Sequence, residues 1–387
     1  MRLKIKVKPE DFIVEEIAEL PLVKNGGHAV YLLKKKGWGT LELLQKFSRE
    51  LKIPLKDFSH GARKDRHALT SQYISIKGRS DIKLNEDDYS LFFAGCMNRP
   101  MGPDLIKENK FEVVVRELTD EKIGAAKAEM ENPQRWGCPN YFDDQRFGSF
   151  DSHQGFLAQK LLKQEFNGAL KIYLASVFPE DRKSERERKE FFFANWKNWE
   201  LCLKEASTDL EKKAFSFLCR EPKDFLELLM EIPRYELAAF ISSYQSFLWN
   251  EILRGVIKNV ILAPLKSYRG AAGEYLFYGD LDERNYLYLK DLNIPMPGPK
   301  PEFADELIKS LYAQVLEDDG IKNSMFNNLK LRQAFFKSFP RQAIVTPQGL
   351  TFAVSDDDFY HGKKKLTLSF SLPRGSYATI LIKRFFC

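Results

Sequence analysis

Cysteine and histidine are scarce in this chain of 387 residues. There are five of each, and the cysteines, at positions 96, 138, 202, 219 and 387, form no C-x-x-C pair. Neither a disulfide framework nor a zinc site is expected, and a reducing compartment fits better. No apolar run approaches the roughly 20 residues of a transmembrane helix, and the N-terminal MRLKIKVKPEDF lacks the apolar centre of a signal peptide. The sequence therefore predicts a soluble cytoplasmic protein without a metal ion.

A strong charge of either sign is also absent. Lysine and arginine outnumber aspartate and glutamate by 60 to 54, a net charge of +6. This mild excess permits a polyanionic partner but does not require one. Aromatic residues are plentiful, with 31 Phe and 15 Tyr, enough for a large core and for surface stacking.

The first part of the chain is predicted to contain both strands and helices, with more strands than helices. Thr40 is placed to cap a helix that runs to about Leu51. A second helix is expected between Thr119 and Glu131. Alternating or continuous apolar residues predict strands at 3–8, 29–33, 72–77 and 111–116, and Phe12–Val14 is expected to be extended.

Helical spacing dominates the middle of the chain, from Gly155 to Leu253. A proline-rich stretch at 294–301 predicts a loop or an extended linker, and a helix is expected at about 302–316. Strand texture then returns at 343–346, 350–354, 366–370 and 378–382.

Predicted strands come first, helices follow, and strands return at the end. This order predicts one sheet domain that is split by an inserted helical domain. We expect residues 1–152 to form the first part of the sheet domain, 153–337 the insert, and 338–387 the last part.

The most unusual local sequence is GARKDRHALTSQ at 61–72. Asp65 lies between Lys64 and Arg66, and nearby cations favour an ionised carboxylate that can act as a nucleophile or base. The same basic residues are suited to phosphate groups. On composition alone, an aspartate in a basic loop is more often a surface ion pair.

This segment resembles the signature of the tRNA pseudouridine synthase D family, G-x-K-D-[RK]-x-A-x-T-x-Q, with Ala62 where the family often has glycine. Four further blocks resemble the family in the same order. They are K-x-x-P-E-D-F at 6–12, NYFDDQRFG at 140–148, YQSFLWN at 244–250, and L-P-x-G-S-Y-A-T at 372–379. Outside 244–250, residues 160–337 resemble the family less clearly.

The resemblance implies an α+β fold, in which a catalytic domain with a pseudouridine-synthase-like mixed or antiparallel sheet is interrupted by a mainly helical α/β insert. It implies an isomerase that converts a uridine of tRNA, usually uridine 13, to pseudouridine without a cofactor. The expected partner is tRNA, with no membrane involved, and a monomer is the simplest expectation.

The resemblance also assigns roles to single residues. Asp65 matches the catalytic aspartate, and Lys6 matches an active-site lysine whose cation pairs with that carboxylate and orients it. Phe142 is expected to stack on the target base. The full set of expected substrate-binding residues is Phe12, Lys64, Arg66, Asn140, Phe142 and Arg146.

Two alternatives remain open from the sequence. One is an inactive RNA-binding protein or tRNA chaperone on the same scaffold. The other is a nucleoside glycosidase, which usually needs paired carboxylates; Asp143 or Asp144 would then supply the second acid. The sequence also leaves open whether Asp65 attacks the sugar C1′, attacks the base, or assists deprotonation at C2′.

Overall fold

The structure is a computed structural model that describes residues 3–78, 81–178, 181–331 and 333–387. The chain divides into two compact units, one made of Met1–Cys138 with Val345–Cys387 and the other of Pro139–Ile344. The two ends of the chain thus share one unit, while the middle forms another. The domain bounds expected from the sequence, with an insert at 153–337, remain a prediction.

The described residues contain strands in both units, and the long ones lie in the first. They are β1 (Phe12–Ala18), β2 (His28–Lys36), β3 (Phe58–His60), β4 (Leu69–Lys77), β5 (Leu84–Asn85), β6 (Tyr89–Met97), β7 (Ile106–Leu118), β8 (Cys138–Pro139), β9 (Lys266–Arg269), β10 (Glu274–Phe277), β11 (Asn293–Pro295), β12 (Pro340–Gln342), β13 (Ile344–Val345), β14 (Gln348–Asp356) and β15 (Lys364–Pro373).

Helices dominate the second unit. The α-helices are α1 (Thr40–Glu50), α2 (Asp120–Ala128), α3 (Glu131–Trp136), α4 (Leu157–Leu162), α5 (Phe166–Ala175), α6 (Lys183–Ala194), α7 (Trp199–Glu205), α8 (Asp209–Arg220), α9 (Phe225–Met230), α10 (Arg234–Val260), α11 (Glu283–Asp291), α12 (Glu306–Asp318) and α13 (Ala378–Phe385). No helix among the described residues is both long and apolar enough to cross a membrane.

The first unit is built on a nine-stranded mixed sheet. Its strand order is β14-β15-β7-β1-β4-β2-β6-β5, and β3 pairs with β4. Strands β1 and β4 are parallel, whereas β2 and β4 are antiparallel. The predicted α+β class with a mixed sheet is therefore confirmed.

Three strand ends meet at one edge of this sheet. The register pairs Ile13 with Leu69, so β1 and β4 begin side by side. On the other side of β4, Lys35 pairs with Thr70, so β2 ends where β4 begins. Any segment that enters β1 or β4, or leaves β2, therefore lies close to this point.

Helix α1 covers one face of the sheet. Its apolar residues Leu43, Leu44 and Phe47 are buried against a cluster that includes Tyr31 of β2 and Ile74 of β4. Full burial of each such side chain is worth about 1.5–3 kcal/mol. The rigid sheet-and-helix core supports the strand ends described above.

The expected cap of α1 is corrected by the structure. The helix begins at Thr40, and Gly39 is its N-cap residue. The Thr40 hydroxyl instead donates to the Gln72 side chain and accepts from the backbone N–H of Lys64. Because the Thr40 side chain forms these tertiary hydrogen bonds, it does not cap the helix. By contrast, Thr119 caps α2 as predicted.

The strand predicted at residues 3–8 is wrong. Only an isolated bridge between Lys4 and Arg116 forms there, and the backbone of Lys6 has φ +61°. A residue in the left-handed region breaks the extended conformation that a strand requires. A single 3₁₀ turn at Pro9–Asp11 then leads into β1.

The strand predicted at 378–382 is a helix, α13. All eight of its residues are buried, so the apolar run ATILI has no polar face that would reveal a helical period. Its buried Arg384 donates to Glu129 at 2.6 Å and to Asn132 at 2.7 Å. Because Glu129 and Asn132 bind the Arg384 guanidinium, the helix can be buried on all sides.

In the second unit, the loop or extended linker predicted at 294–301 begins with two residues of a short strand. Strand β11 pairs with β12, with Ile294 opposite Arg341. Proline is tolerated because each strand of a two-stranded ribbon has a free edge. The long helix α10 buries Trp249, and that indole N–H donates to the carbonyl of Ile294 at 3.1 Å.

Candidate active site

The loop between β3 and β4 places Asp65 at the meeting point of the three strand ends. It follows His60 and leads directly into Leu69, the first residue of β4. At Gly61 a side chain has no room, because a Cβ would lie 2.5 Å from the Ile106 side chain and 2.9 Å from the carbonyl oxygen of Gly102. The glycine of the signature is therefore explained by close packing.

Two polar side chains, Gln72 of the signature and Thr40 of α1, hold the loop backbone. The buried Gln72 donates to the carbonyl of Ala62 at 3.1 Å. Gln72 also accepts from Thr40 at 2.8 Å, and Thr40 accepts from the N–H of Lys64 at 2.9 Å. These bonds fix the loop from both sides of Arg63.

Lys64 is directed into the protein. Its ammonium lies 2.9 Å from a carboxylate oxygen of Glu16 on β1 and also donates to Asn109 on β7. Glu16 in turn accepts from the N–H of Tyr73 at 3.0 Å. In this structure Lys64 ties the loop to two strands and is nearly covered.

The carboxylate of Asp65 is held by two donors. One oxygen forms an ion pair with the ammonium of Lys6, and the other accepts from the N–H of His67 at 2.9 Å. The Asp65 side chain is 21% exposed and that of Lys6 12% exposed. The carboxylate is thus oriented and partly accessible.

Lys6 reaches Asp65 from the strained segment before β1. A non-glycine residue with positive φ costs about 1–3 kcal/mol and is typical of functional segments. The same ammonium lies 4.3 Å from the centre of the Phe12 ring, a cation–π contact. The structure thus brings together Lys6, Phe12 and Asp65, three residues selected from the sequence.

Arg66 points outward. Its side chain is 59% exposed, and its guanidinium lies 3.7 Å from the carboxylate of Glu42. An exposed pair at this distance contributes little to stability. Arg66 is therefore available to a phosphate group.

In the second unit, Asn140 is bound on both sides by the chain around Arg341. Its amide nitrogen donates to the carbonyl of Gln342 at 3.1 Å, and its backbone N–H donates to Ala343 at 2.8 Å. The guanidinium of Arg341 donates to the Asn140 side-chain oxygen at 2.8 Å and to its backbone carbonyl at 2.7 Å. The position of Asn140 is fixed by these bonds.

Phe142 is fixed through its backbone and its ring. The side chain of Asn250 on α10 accepts from its N–H and donates to its carbonyl, both at 2.9 Å. The Trp249 ring meets the Phe142 ring edge to face at 5.5 Å, and the Arg341 guanidinium lies 4.0 Å from its centre. The Arg146 guanidinium lies 5.8 Å from the same ring centre, and only 6% of the residue is exposed, so a base could stack on this ring only if a neighbouring side chain moved aside.

Arg146 also contacts α10. Its guanidinium donates to Ser246 at 3.2 Å and to Ser242. Gln245, on the same helix, donates to the carbonyls of Pro297 and Lys337. The block at 244–250 therefore supports the segment at 140–147.

The block at 372–379 forms the turn between β15 and α13. Gly375 has φ +83°, which favours glycine, and the N–H of Ser376 donates to the carbonyl of Pro373 at 3.2 Å. These residues of the block therefore form a turn.

Sequence reasoning missed Lys35, Arg341 and the clamp formed by Asn250. For Lys35 a signal existed, since Tyr31, Leu33 and Lys35 share one face of β2 by alternation and all three are buried. For Arg341 no local pattern indicates that it reaches Asn140. For Asn250 only the resemblance of its block pointed to importance.

In the part of the chain that the structure describes, no group of three or more His, Cys, Asp or Glu residues is arranged to hold a metal ion. The predicted absence of a cofactor stays a prediction. Asp144, considered above as a second acid, accepts from the N–H of Ala271 and from the hydroxyl of Tyr275, each at 2.8 Å.

Comparison with known proteins gives consistent matches along the chain. The family model described as tRNA pseudouridine synthase D (TruD) matches residues 1–269 and 290–385. A tRNA pseudouridine synthase D of Aquifex aeolicus is 33% identical, covering 100% of this chain and 99% of the relative. One of Leptospira interrogans is 32% identical, covering 98% and 95%.

A solved structure agrees with these relatives. The crystal structure of a Methanosarcina mazei protein described as a tRNA pseudouridine synthase D superposes with a TM-score of 0.72 at 26% identity, covering 99% of this chain and 93% of that one. With the family model spanning nearly all residues and the five blocks in their expected order, the chain belongs to the tRNA pseudouridine synthase D family.

Proposed function

We propose that this protein isomerises a uridine of tRNA, uridine 13, to pseudouridine, with the carboxylate of Asp65 at the centre of the reaction. The main support is the ion pair of Lys6 and Asp65 at the meeting strand ends. In a member of this family, a partly exposed, oriented carboxylate is the group that the reaction needs.

The reaction is an isomerisation with no net oxidation or reduction. The N1–C1′ bond of the nucleotide breaks, the uracil rotates, and a C5–C1′ bond forms. C5 then loses its proton, and N1 gains one. A carboxylate assists by attacking C1′, by attacking the base, or by removing the C2′ proton.

Lys6 supports this chemistry by electrostatics. Its ammonium favours the ionised form of Asp65, which is the reactive form in each of the three routes. The backbone N–H of His67 holds the second oxygen, so the carboxylate has a defined direction before substrate binds. Both residues thus act on Asp65 directly.

We assign substrate contacts to the remaining predicted residues by their surroundings. Arg66, which is exposed, is proposed to meet a phosphate, and Phe12 to line the pocket beside Lys6. Asn140 and Phe142 are proposed to hold the uracil, and Arg146 to brace their segment. For Lys64, the bonds to Glu16 and Asn109 favour a role in holding the loop.

The test is mass spectrometry of an unmodified tRNA transcript after incubation with the protein and pseudouridine-specific chemical labelling. No cofactor or metal is added. We expect one labelled site, and a transcript with cytidine in place of uridine 13 should give none. Tight tRNA binding without product would instead favour the binding-only alternative. Cytoplasmic location, a monomeric state and cofactor independence remain predictions.

The stacking role of Phe142 predicts an ordered series of variants. Stacking of a base on an aromatic ring is worth about 1–3 kcal/mol, so Phe142→Leu should lower kcat/KM roughly 5- to 150-fold. Phe142→Tyr, which keeps the ring face, should stay within a few-fold of wild type. Single-turnover rates on the same tRNA transcript give the comparison.

Phe142→Ala serves as a further member of the series, with its thermal stability measured because truncation of a buried ring leaves a cavity. Equal rates for the Leu and Tyr variants, both folded, would remove the stacking role.

A further inference from the structure

Lys35 is a lysine buried in the sheet. It continues the covered face of β2 after Tyr31 and Leu33, and it is 1% exposed. An ammonium removed from water costs several kcal/mol unless its N–H groups find partners. A lysine retained at such a position therefore needs an explanation from its contacts.

Its hydrogen bonds go to backbone carbonyl groups. The ammonium donates to Trp38 at 2.7 Å, to Asp65 at 2.9 Å and to Lys64 at 3.4 Å. Two of these acceptors are consecutive peptide groups of the Asp65 loop. The third lies between β2 and α1, so Lys35 joins the loop to the rigid core.

We infer that Lys35 is a positioning residue for the Asp65 carboxylate. It touches no atom of the Asp65 side chain in these bonds; it holds the peptide groups on which that side chain is mounted. The inference rests on the proposed function, since it gives Lys35 a catalytic consequence only through Asp65. A displacement of about 1 Å at a reacting group costs on the order of 100-fold in rate.

The protonation state of Lys35 offers a specific readout. Burial lowers its pKa to about 8; the charge of Lys64 acts in the same direction, whereas Asp65 and Glu42 oppose the shift. These are the charged groups of the loop and of α1 that face it. Above this pH the ammonium loses one donor and its charge, so its hold on the two carbonyls weakens.

Stability should respond in the opposite sense. In the unfolded chain Lys35 keeps its ordinary pKa, so between pH 8 and 10 the unfolded state binds more protons than the folded state. This group therefore makes the folded protein more stable as the pH rises through that window. A fall in rate without a fall in Tm separates positioning from unfolding.

The experiment compares Lys35→Met, Lys35→Arg and Lys34→Met in single-turnover pseudouridine formation and in tRNA binding. Lys34 is the exposed neighbour on the same strand and is the matched control. We expect Lys35→Met to lower the rate constant roughly 100-fold with Kd for tRNA little changed, and Lys34→Met to behave as wild type.

The pH profile supplies the measurement that does not depend on how well a variant folds. The wild-type rate should fall from pH 7.5 to 9 while Tm does not, and Lys35→Arg, which keeps its charge, should lack this fall. A flat wild-type profile over that range, or a folded Lys35→Met variant at the wild-type rate, would overturn the inference.

Asp65→Asn, assayed in parallel, keeps the two proposals distinct. If Asp65→Asn is active, the proposed role of Asp65 fails, and that of Lys35 with it. If Asp65→Asn is inactive while Lys35→Met retains the full rate, only the inference about Lys35 fails.

Discussion

Asp65→Asn is expected to lower the rate of pseudouridine formation at least about a thousandfold, equivalent to roughly 4 kcal/mol of transition-state stabilisation. Asparagine has nearly the same shape as aspartate, and its side-chain oxygen can still accept from the N–H of His67. The bonds from Lys35 go to backbone atoms and stay. The variant therefore removes the anionic carboxylate and leaves the loop in place.

The measurement is single-turnover labelling of pseudouridine in the tRNA transcript, with tRNA affinity measured alongside. Affinity should change little, because one carboxylate among phosphate contacts adds little to binding. Asp87→Asn, at an exposed position of the same unit, is the charge-matched control and should retain full activity. Product from Asp65→Asn at a rate near that of wild type would exclude a catalytic role for this residue.

Arg116→Met is expected to destabilise the first unit by about 3–5 kcal/mol, the usual cost of breaking a buried ion pair. The Arg116 side chain is 1% exposed and binds both oxygens of Asp11 at 2.8 Å. It also donates to Asp357 at 2.9 Å and to Asp358 at 2.8 Å. Methionine fills much of the volume but leaves the carboxylates of Asp11 and Asp357 covered and without this cation.

Calorimetry should show the lower Tm. Arg99→Met is the matched control, since Arg99 forms an exposed pair with Asp104 whose loss should change Tm little. Adding Asp11→Asn to Arg116→Met should recover part of the loss, because one uncompensated charge is removed. A Tm for Arg116→Met equal to that of the Arg99 control would contradict the role given to this network.

The same ion-pair network makes the stability of the fold depend on pH in the acidic range. Hydrogen bonds from Arg116 and Lys365 hold the pKa of Asp358 well below its ordinary value. A depressed carboxyl pKa stabilises the fold fully above the ordinary value, and this contribution is lost as the pH falls through the folded pKa. The Arg116→Met variant should therefore lose less stability than wild type as the pH falls from the ordinary aspartate pKa of about 4 toward the lower folded pKa.

Sequence patterns predicted the fold well where one face of an element is covered and the other is open. Strands β2, β4 and β7 and helix α1 alternate or repeat in the expected way. The strand predicted in place of helix α13 was wrong, because a helix that is buried on all sides has no polar face to indicate its period. The strand predicted at 3–8 was wrong for another reason. Apolar and polar residues alternate there, but the backbone of Lys6 is in the left-handed region.

The candidate site was predicted in its residues but not in its contacts. The blocks selected Asp65, Lys6 and Phe12, which the structure brings together. They could not show that Lys64 turns inward to Glu16, because that partner is set by the pairing of β1 with β4. Local periodicity of the sequence cannot predict contacts that depend on the order of the strands in the sheet.

The strand order of the first unit has a consequence for biosynthesis. One edge of β7 pairs with β15, and the two strands are separated in the chain by all residues of the second unit. At about 5–20 residues per second, a ribosome needs roughly 10–40 s to add them. During that interval the edge of β7 is an unpaired template for other nascent chains. A chain that ends at residue 343 should therefore aggregate, as judged by light scattering, at concentrations where the full-length protein does not.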